Sequence, residues 1–279
     1  MIQIGDLQCE VLSGGRFKLD GGGMFGIIPR MLWSRQFEPD DRGRIQLDTN
    51  CILVRTGDEL VLIDTGNGPK MTTKEQTIFG LAPSEGILHS LATHGVAPAE
   101  ITTVLLTHLH MDHVGGASHL EDDEPVISFP NARYVAQRRE WEDAIHNYSH
   151  MRASYRLENL LPIQRSGRLE LLDGDAEVAP GISVHVTGGH TPAHQCVFLR
   201  SRGETGVFLA DVCPTPAHFR PPYNMAYDLE PYVTMRVKGE LLSRAAQEGW
   251  LCFFDHEPAR KVVRVREEDG QFAADPVAF

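Results

Sequence analysis

Directly after the apolar run Ile101-Thr102-Thr103-Val104-Leu105-Leu106, the chain carries Thr107-His108-Leu109-His110-Met111-Asp112-His113, four potential metal ligands within six positions. Imidazole and carboxylate are the groups that zinc and similar divalent ions select. In an extended loop residues i and i+2 point the same way, so His108 and His110 can share one cation while Asp112 and His113 face a second. With thirteen histidines in the chain, a His-x-His-x-Asp-His run arises by chance on the order of one time in a thousand, so the pattern is specific.

A metal centre needs side chains from distant segments, and three more residues meet that requirement. His190 lies in Gly188-Gly189-His190-Thr191-Pro192, just before the apolar run 195–200, and Asp211 follows the run 206–210. The intervening Arg200-Ser201-Arg202-Gly203-Glu204-Thr205-Gly206 reads as a turn, so the two runs form a hairpin. The start of one antiparallel strand lies about 5 Å from the end of its neighbour, which puts His190 beside Asp211. His256 follows the run Leu251-Cys252-Phe253-Phe254 in the same manner.

The elements that must position these residues are short. Apolar runs at 51–55, 60–64, 101–106, 182–186, 195–200 and 206–210 predict strands, and helical spacing predicts helices at 87–95, 138–161 and 233–249. Hairpin-like pairs mixed with helical stretches suit two sheets packed face to face with helices outside. With no repeat, low-complexity tract or linker, residues 1–279 read as one domain. The net charge of −12 offers no attraction for a phosphate backbone or an anionic membrane, so neither partner is expected. Five scattered cysteines without a Cys-x-x-Cys pair argue against a disulfide framework or a thiolate zinc site. The first residues show no signal segment and no run is long enough to span a bilayer, so the expected compartment is the cytoplasm.

Together the His-x-His-x-Asp-His loop, the distant His190, Asp211 and the final His256 resemble the signature of the metallo-β-lactamase superfamily. Val61-Leu62-Ile63-Asp64-Thr65-Gly66 looks like that family's early strand-turn motif, whose Asp orients a metal-bound histidine. The resemblance implies an αββα sandwich, two mixed sheets flanked by helices, with two divalent cations at one sheet edge. It assigns His108, His110 and His190 to the first cation and Asp112, His113 and His256 to the second, with Asp211 bridging. Zinc is the first expectation, with iron, manganese or cobalt open. Two cations bridged by a carboxylate would lower the pKa of a shared water and hold it as hydroxide for attack, with Asp112 helping to align it.

Within the superfamily, spacing narrows the choice. Nucleic-acid-processing branches carry a large insertion between the bridging Asp and the last His, here 45 positions apart. Glyoxalase II-like thioesterases continue into a helical domain, whereas 23 residues follow His256. True β-lactamases use a Cys in the second site; Cys213 is near, but Asp211 is better placed. The segment Phe17–Trp33, with Gly21-Gly22-Gly23, resembles the pocket-lining opening segment of quorum-quenching N-acyl-homoserine lactonases and methyl-parathion-hydrolase-like enzymes. It reads as an irregular loop whose Met24, Phe25, Ile28 and Trp33 would bind substrate or pack against a partner copy in a homodimer. No Gly-Lys-Ser/Thr follows the glycines, and Gly116-Ala117-Ser118-His119 lacks a serine-hydrolase elbow. The expected activity is lactone opening on a small-molecule substrate, with carboxyl esters or phosphotriesters next and a mononuclear iron oxidoreductase, persulfide dioxygenase-like, third. The lactonase pattern places a substrate-binding Tyr three residues after the bridging Asp, where this chain has Pro214. His218, Tyr223 or Tyr227 from the same loop could supply the missing acid, and His218 and Tyr223 are the two carried forward.

Overall fold

The structure, a computed structural model, describes residues 1–81, 86–146 and 151–278. Residues 1–172 supply β1 (Ile2–Ile4), β2 (Leu7–Asp20), β3 (Arg44–Thr56), β4 (Glu59–Ile63), β5 (Thr103–Leu105), β6 (Ser118–Glu121), β7 (Glu124–Ile127), β8 (Arg133–Gln137) and β9 (Leu169–Leu172). The remainder supplies β10 (Ala176–Ala179), β11 (Ile182–Val186), β12 (Gln195–Ser201), β13 (Glu204–Phe208), β14 (Leu251–Phe253), β15 (Val262–Glu268) and β16 (Gln271–Pro276). The helices are α1 (Gly21–Phe25), α2 (Arg30–Trp33), α3 (Thr73–Phe79), α4 (Ile87–Thr93), α5 (Met111–Val114), α6 (Arg138–His146), α7 (Leu157–Arg165) and α8 (Pro231–Glu248).

Seven strands form one sheet in the order β1-β2-β3-β4-β5-β8-β9, and seven form another in the order β10 through β16. Both are mixed: β4-β5, β5-β8, β8-β9 and β13-β14 are parallel and the other pairs antiparallel. Each sheet is covered on both faces, so central strands read as continuous apolar runs rather than alternating ones. In β12, Val197 and Leu199 enter the layer between the sheets, while Cys196 and Phe198 face Val237, Leu241 and Leu242 of α8. On the opposite side Leu91 of α4, Trp141 of α6 and Leu160 of α7 cover the first sheet. Each such fully buried side chain stabilises the fold by about 1.5–3 kcal/mol relative to exposure. The layers are therefore helix, sheet, sheet, helix, the αββα sandwich expected.

This topology gathers the site. Parallel β4 and β5, and parallel β13 and β14, release Asp64, the 107–113 loop, Asp211 and the 255–256 turn where their C-terminal ends emerge. β12 runs antiparallel to β13, so His190, just before it, reaches the same edge.

Several boundaries differ from the sequence reading. The strand expected at 101–106 is Thr103–Leu105, and that at 206–210 shifts to Glu204–Phe208, leaving Asp211 in a 3-10 turn at Ala210–Val212. The helix expected at 138–161 is α6 followed by α7 beginning at Leu157, with 147–150 outside the described residues. The segment 17–33 is not an irregular loop: Phe17–Asp20 complete β2, Asp20 caps α1 by accepting from the Gly23 amide, and α2 follows. A long strand facing this element gives it a partner that local composition does not reveal: Phe17 and Leu19 pair with Leu47 and Ile45 of β3.

Candidate metal centre

Two clusters of ligand atoms share the edge. His108, His110, His190 and Asp211 form one, and His113, Asp211, Asp255 and His256 the other, with the atoms of each within 4.8 Å of one another. The Asp211 carboxylate faces both. Its Oδ2 lies 2.9 Å from His190 Nε2 and 3.6 Å from His108 Nε2, and its Oδ1 lies 3.1 Å from His256 Nε2 and 3.7 Å from His113 Nε2. Asp112 flanks the second cluster, 3.7 Å from His256 Nε2 and 4.0 Å from His113 Nε2.

The rings of His113, His190 and His256 are each aimed by a partner behind them. Asp64 Oδ2 accepts from His113 Nδ1 at 2.9 Å and from the Thr107 hydroxyl, while its Oδ1 accepts from the Thr107 amide at 2.8 Å, so one carboxylate holds both ends of the loop. Asp64 does this from left-handed backbone (φ 56°), as does Ala210 (φ 47°) just ahead of Asp211. Non-glycine residues hold that conformation only where the surroundings over-determine it. His190 Nδ1 donates to Asp228 at 2.9 Å, and His256 Nδ1 donates to the Asp48 carbonyl at 2.9 Å. Glu140, buried at the start of α6, accepts from the Leu109 amide, the Tyr155 hydroxyl and the Thr191 hydroxyl, tying the 108–110 loop to the loop of His190. Gly189 (φ 88°) must be glycine there, since a Cβ would sit 2.6 Å from Thr234 Oγ1.

Burial and neighbouring carboxylates act in opposite directions on the histidines at the edge. Burial, reinforced by neighbouring rings, pushes His108 and His110 well below the ordinary histidine range. Against the opposing effect of burial, Asp211, Asp112 and Asp64 raise His113 to about 9, and Asp211 and Asp228 raise His190 to about 10. His108 Nε2, His113 Nε2, Asp211 Oδ1 and both Asp255 carboxylate oxygens are buried without a hydrogen-bond partner. Native interiors rarely leave such groups orphaned, and a cation satisfies imidazole nitrogens and carboxylate oxygens together. The donor set fits divalent metal ions.

A cavity of about 200 Å³ opens over the centre, with His110, Asp112, His190, Asp211 and His256 at its floor and Leu19, Met24, Phe79, Met111, Met225 and Tyr227 on its walls. Of the four N-terminal residues expected to bind substrate, only Met24 lines this cavity. Phe25 and Trp33 are buried and stacked, with ring centroids 5.8 Å apart, and Ile28 packs on the same cluster behind the wall. His218 is fully buried; its Nε2 donates to the Met24 carbonyl and its Nδ1 accepts from Thr215, so both nitrogens are engaged away from the cavity. Tyr223 lines a separate cavity beside Arg35 and Arg220. Tyr227 lines the cavity over the centre and is seated over Gly23, where a Cβ would approach its hydroxyl to 2.2 Å. Sequence reasoning also missed Asp228, Glu140 and Asp255. Only Asp255 carried a local signal, a carboxylate next to His256.

An αββα sandwich with a histidine and carboxylate centre at its sheet edge defines a metal-dependent hydrolase class, and comparison places the chain within it. The model of the metallo-beta-lactamase superfamily matches residues 44–256, so the chain belongs to that superfamily and is a metal-dependent hydrolase. N-acyl homoserine lactonase from Bacillus thuringiensis is 27% identical over 225 residues, covering 76% of this chain and 82% of that protein. A crystal structure of a "probable metal-dependent hydrolase" from Staphylococcus aureus superposes with a TM-score of 0.90 at 31% identity over 100% of both chains. AidC, a dizinc quorum-quenching lactonase, shares the fold with a TM-score of 0.83 at 20% identity, over 100% of this chain and 97% of that one.

Proposed function

We propose that the protein is a dinuclear lactonase that opens N-acyl-homoserine lactones or related lactones. The observation that carries this reading is the cavity: two ligand clusters sharing Asp211 at its floor, and a wall of Leu19, Met24, Phe79 and Met225 suited to an acyl chain. A polar lactone head over a polar floor and an acyl tail against apolar walls match that division. The lactonases among its relatives support the same reading.

In this reading His108, His110, His190 and Asp211 hold one divalent cation and Asp112, His113, Asp211 and His256 the other, zinc being the natural choice for the imidazole-rich set. Bound there, the cations supply Lewis acidity and lower the pKa of water. Asp112, whose carboxylate borders both the cavity and His256, accepts a proton from attacking water and returns it to the departing alkoxide. The Tyr227 hydroxyl donates to an oxygen of the lactone, the role the sequence pattern would place at position 214. Asp64, Asp228 and Glu140 keep the rings aimed. A reducing compartment such as the cytoplasm belongs to this reading, since all five cysteines are buried and unpaired.

The test is ring opening of a medium-chain N-acyl-homoserine lactone, followed by proton release in weak buffer using protein of confirmed metal content, with and without chelator. Chelator-sensitive turnover is expected. Two bound metals without lactone turnover would move the substrate to carboxyl esters or phosphotriesters, and a single bound ion would overturn the dinuclear reading.

A further inference from the structure

Asp255 has no role in the ligand set read from the sequence, yet it is among the most buried carboxylates of the described residues, 1% exposed and two positions past the end of β14. The Asn50 amide donates to its carbonyl at 2.7 Å, and the Asn50 side chain donates to the carbonyls of Phe254 and Glu257, so the turn that carries it is stapled to β3. Its Oδ2 lies 3.4 Å from His256 Nε2 and 3.9 Å from His113 Nε2. Those two nitrogens are its only ion-pair partners among the described residues, and neither carboxylate oxygen has a hydrogen-bond partner.

The tautomers sharpen the problem. A carbonyl only accepts, so His256 carries its N–H at Nδ1 toward the Asp48 carbonyl. His113 likewise directs Nδ1 at Asp64, which holds its other contact with the Thr107 hydroxyl. In their neutral forms both rings therefore present bare lone pairs at Nε2, converging with the lone pairs of Asp211 Oδ1 and Asp255 Oδ2. With both rings neutral, four lone-pair donors face one point, which is the surroundings of a cation.

We propose that Asp255 is a direct ligand of the second cation, so that this half of the centre is held by three carboxylates, Asp112, Asp211 and Asp255, and two imidazoles. The inference rests on the dinuclear reading above and adds a ligand to it. The competing arrangement is a protonated Asp255 that shares its proton with Asp211 and touches no metal.

Asp255→Cys separates the two. A thiolate at this position on a bound cobalt ion produces a thiolate-to-cobalt charge-transfer band in the near ultraviolet, so the cobalt-reconstituted variant is compared with cobalt-reconstituted wild type. A band present only in the variant is expected. Two cobalt ions bound without that band overturns the proposal. Asp255→Asn keeps the shape and a donor toward Asp211 but removes the charge, and serves if the cysteine variant fails to fold. Metal content after dialysis is expected to fall from two zinc ions per chain to one, and retention of two overturns the proposal. Wild-type protein that holds fewer than two ions in the same dialysis would instead remove the dinuclear reading itself.

Discussion

The two halves of the centre meet at Asp211 but are built from different chemistry. The half on the His190 side has three imidazoles, and its rings are backed by Asp228 and by the Glu140 network linking two loops. The half on the His256 side has two imidazoles amid the carboxylates of Asp112, Asp211 and Asp255, and its rings are backed by Asp64 and a backbone carbonyl. Imidazole-rich sites suit zinc, whereas carboxylate-rich sites also admit harder cations such as manganese. Sharing a fold edge and a bridging residue does not make the two positions equivalent. On the dinuclear reading, the contrast predicts that affinity and identity of the two ions are set separately, by residues on opposite sides of Asp211.

The most severe way to break the contrast is to remove what both halves share. Asp211→Ala should strip both cations and reduce turnover by more than the roughly 100-fold typical of losing an outer partner, measured by metal analysis and proton release. His110→Ala and His256→Ala should each lower metal content by one ion, from opposite halves. Equal loss of both ions in the two variants would show that the halves bind as one unit.

Removing the partners behind the rings sharpens the comparison at smaller effect. Asp228→Ala should weaken the His190 side and Asp64→Ala the His113 side, each by about 10–100-fold in metal affinity by competitive chelation. Asp64→Ala should be the more damaging, because Asp64 also holds the Thr107 amide. Above the metals, Tyr227→Phe and Gly23→Ala should shift lactone turnover by about tenfold while leaving metal content at the wild-type level, the first by removing the hydroxyl and the second by displacing it. Metal loss in either would place Tyr227 in the support of the centre rather than in the cavity wall.

A separate effect, on folding stability, concerns a histidine belonging to neither half. Burial, with the nearby Lys238 charge, pushes His218 down to about 3. Its folded value lies below its unfolded one, so its contribution to stability is present above about pH 6.5 and is lost as pH falls toward 3, at about 1.4 kcal/mol per pH unit. Unfolding of His218→Gln between pH 7 and 4 should show a shallower loss than wild type, with metal content at pH 7 unchanged. An unchanged slope would mean that His218 protonates without cost in the folded protein.

Part of the centre is legible in the sequence alone. The run His108 to His113 holds its ligands within a few residues, where local backbone direction decides which way each points, and the hairpin of β12 and β13 follows from its turn residues, so the meeting of His190 and Asp211 can be derived. The apolar runs suffice for the sandwich because burial of both sheet faces leaves a strong compositional trace. The cavity wall leaves no such trace. Met24, Phe25, Ile28 and Trp33 look alike as sequence, and only the course of β2 into α1 turns Met24 into the cavity and Phe25 and Trp33 away from it.

What the sequence determined by itself was the chemistry available and the order in which the chain presents it: imidazoles and carboxylates at the ends of short apolar strands. Tertiary structure alone decided which oxygen of Asp211 faces which half, that Asp228 stands behind His190 from 38 positions away, that Tyr227 rather than Tyr223 or His218 lines the cavity, and that Asp255 lies beside His113, Asp211 and His256. The reason is physical: a side chain's partners are fixed by directions set where distant segments pack, and a direction is a property of the assembled backbone that residue type and spacing along one segment do not contain.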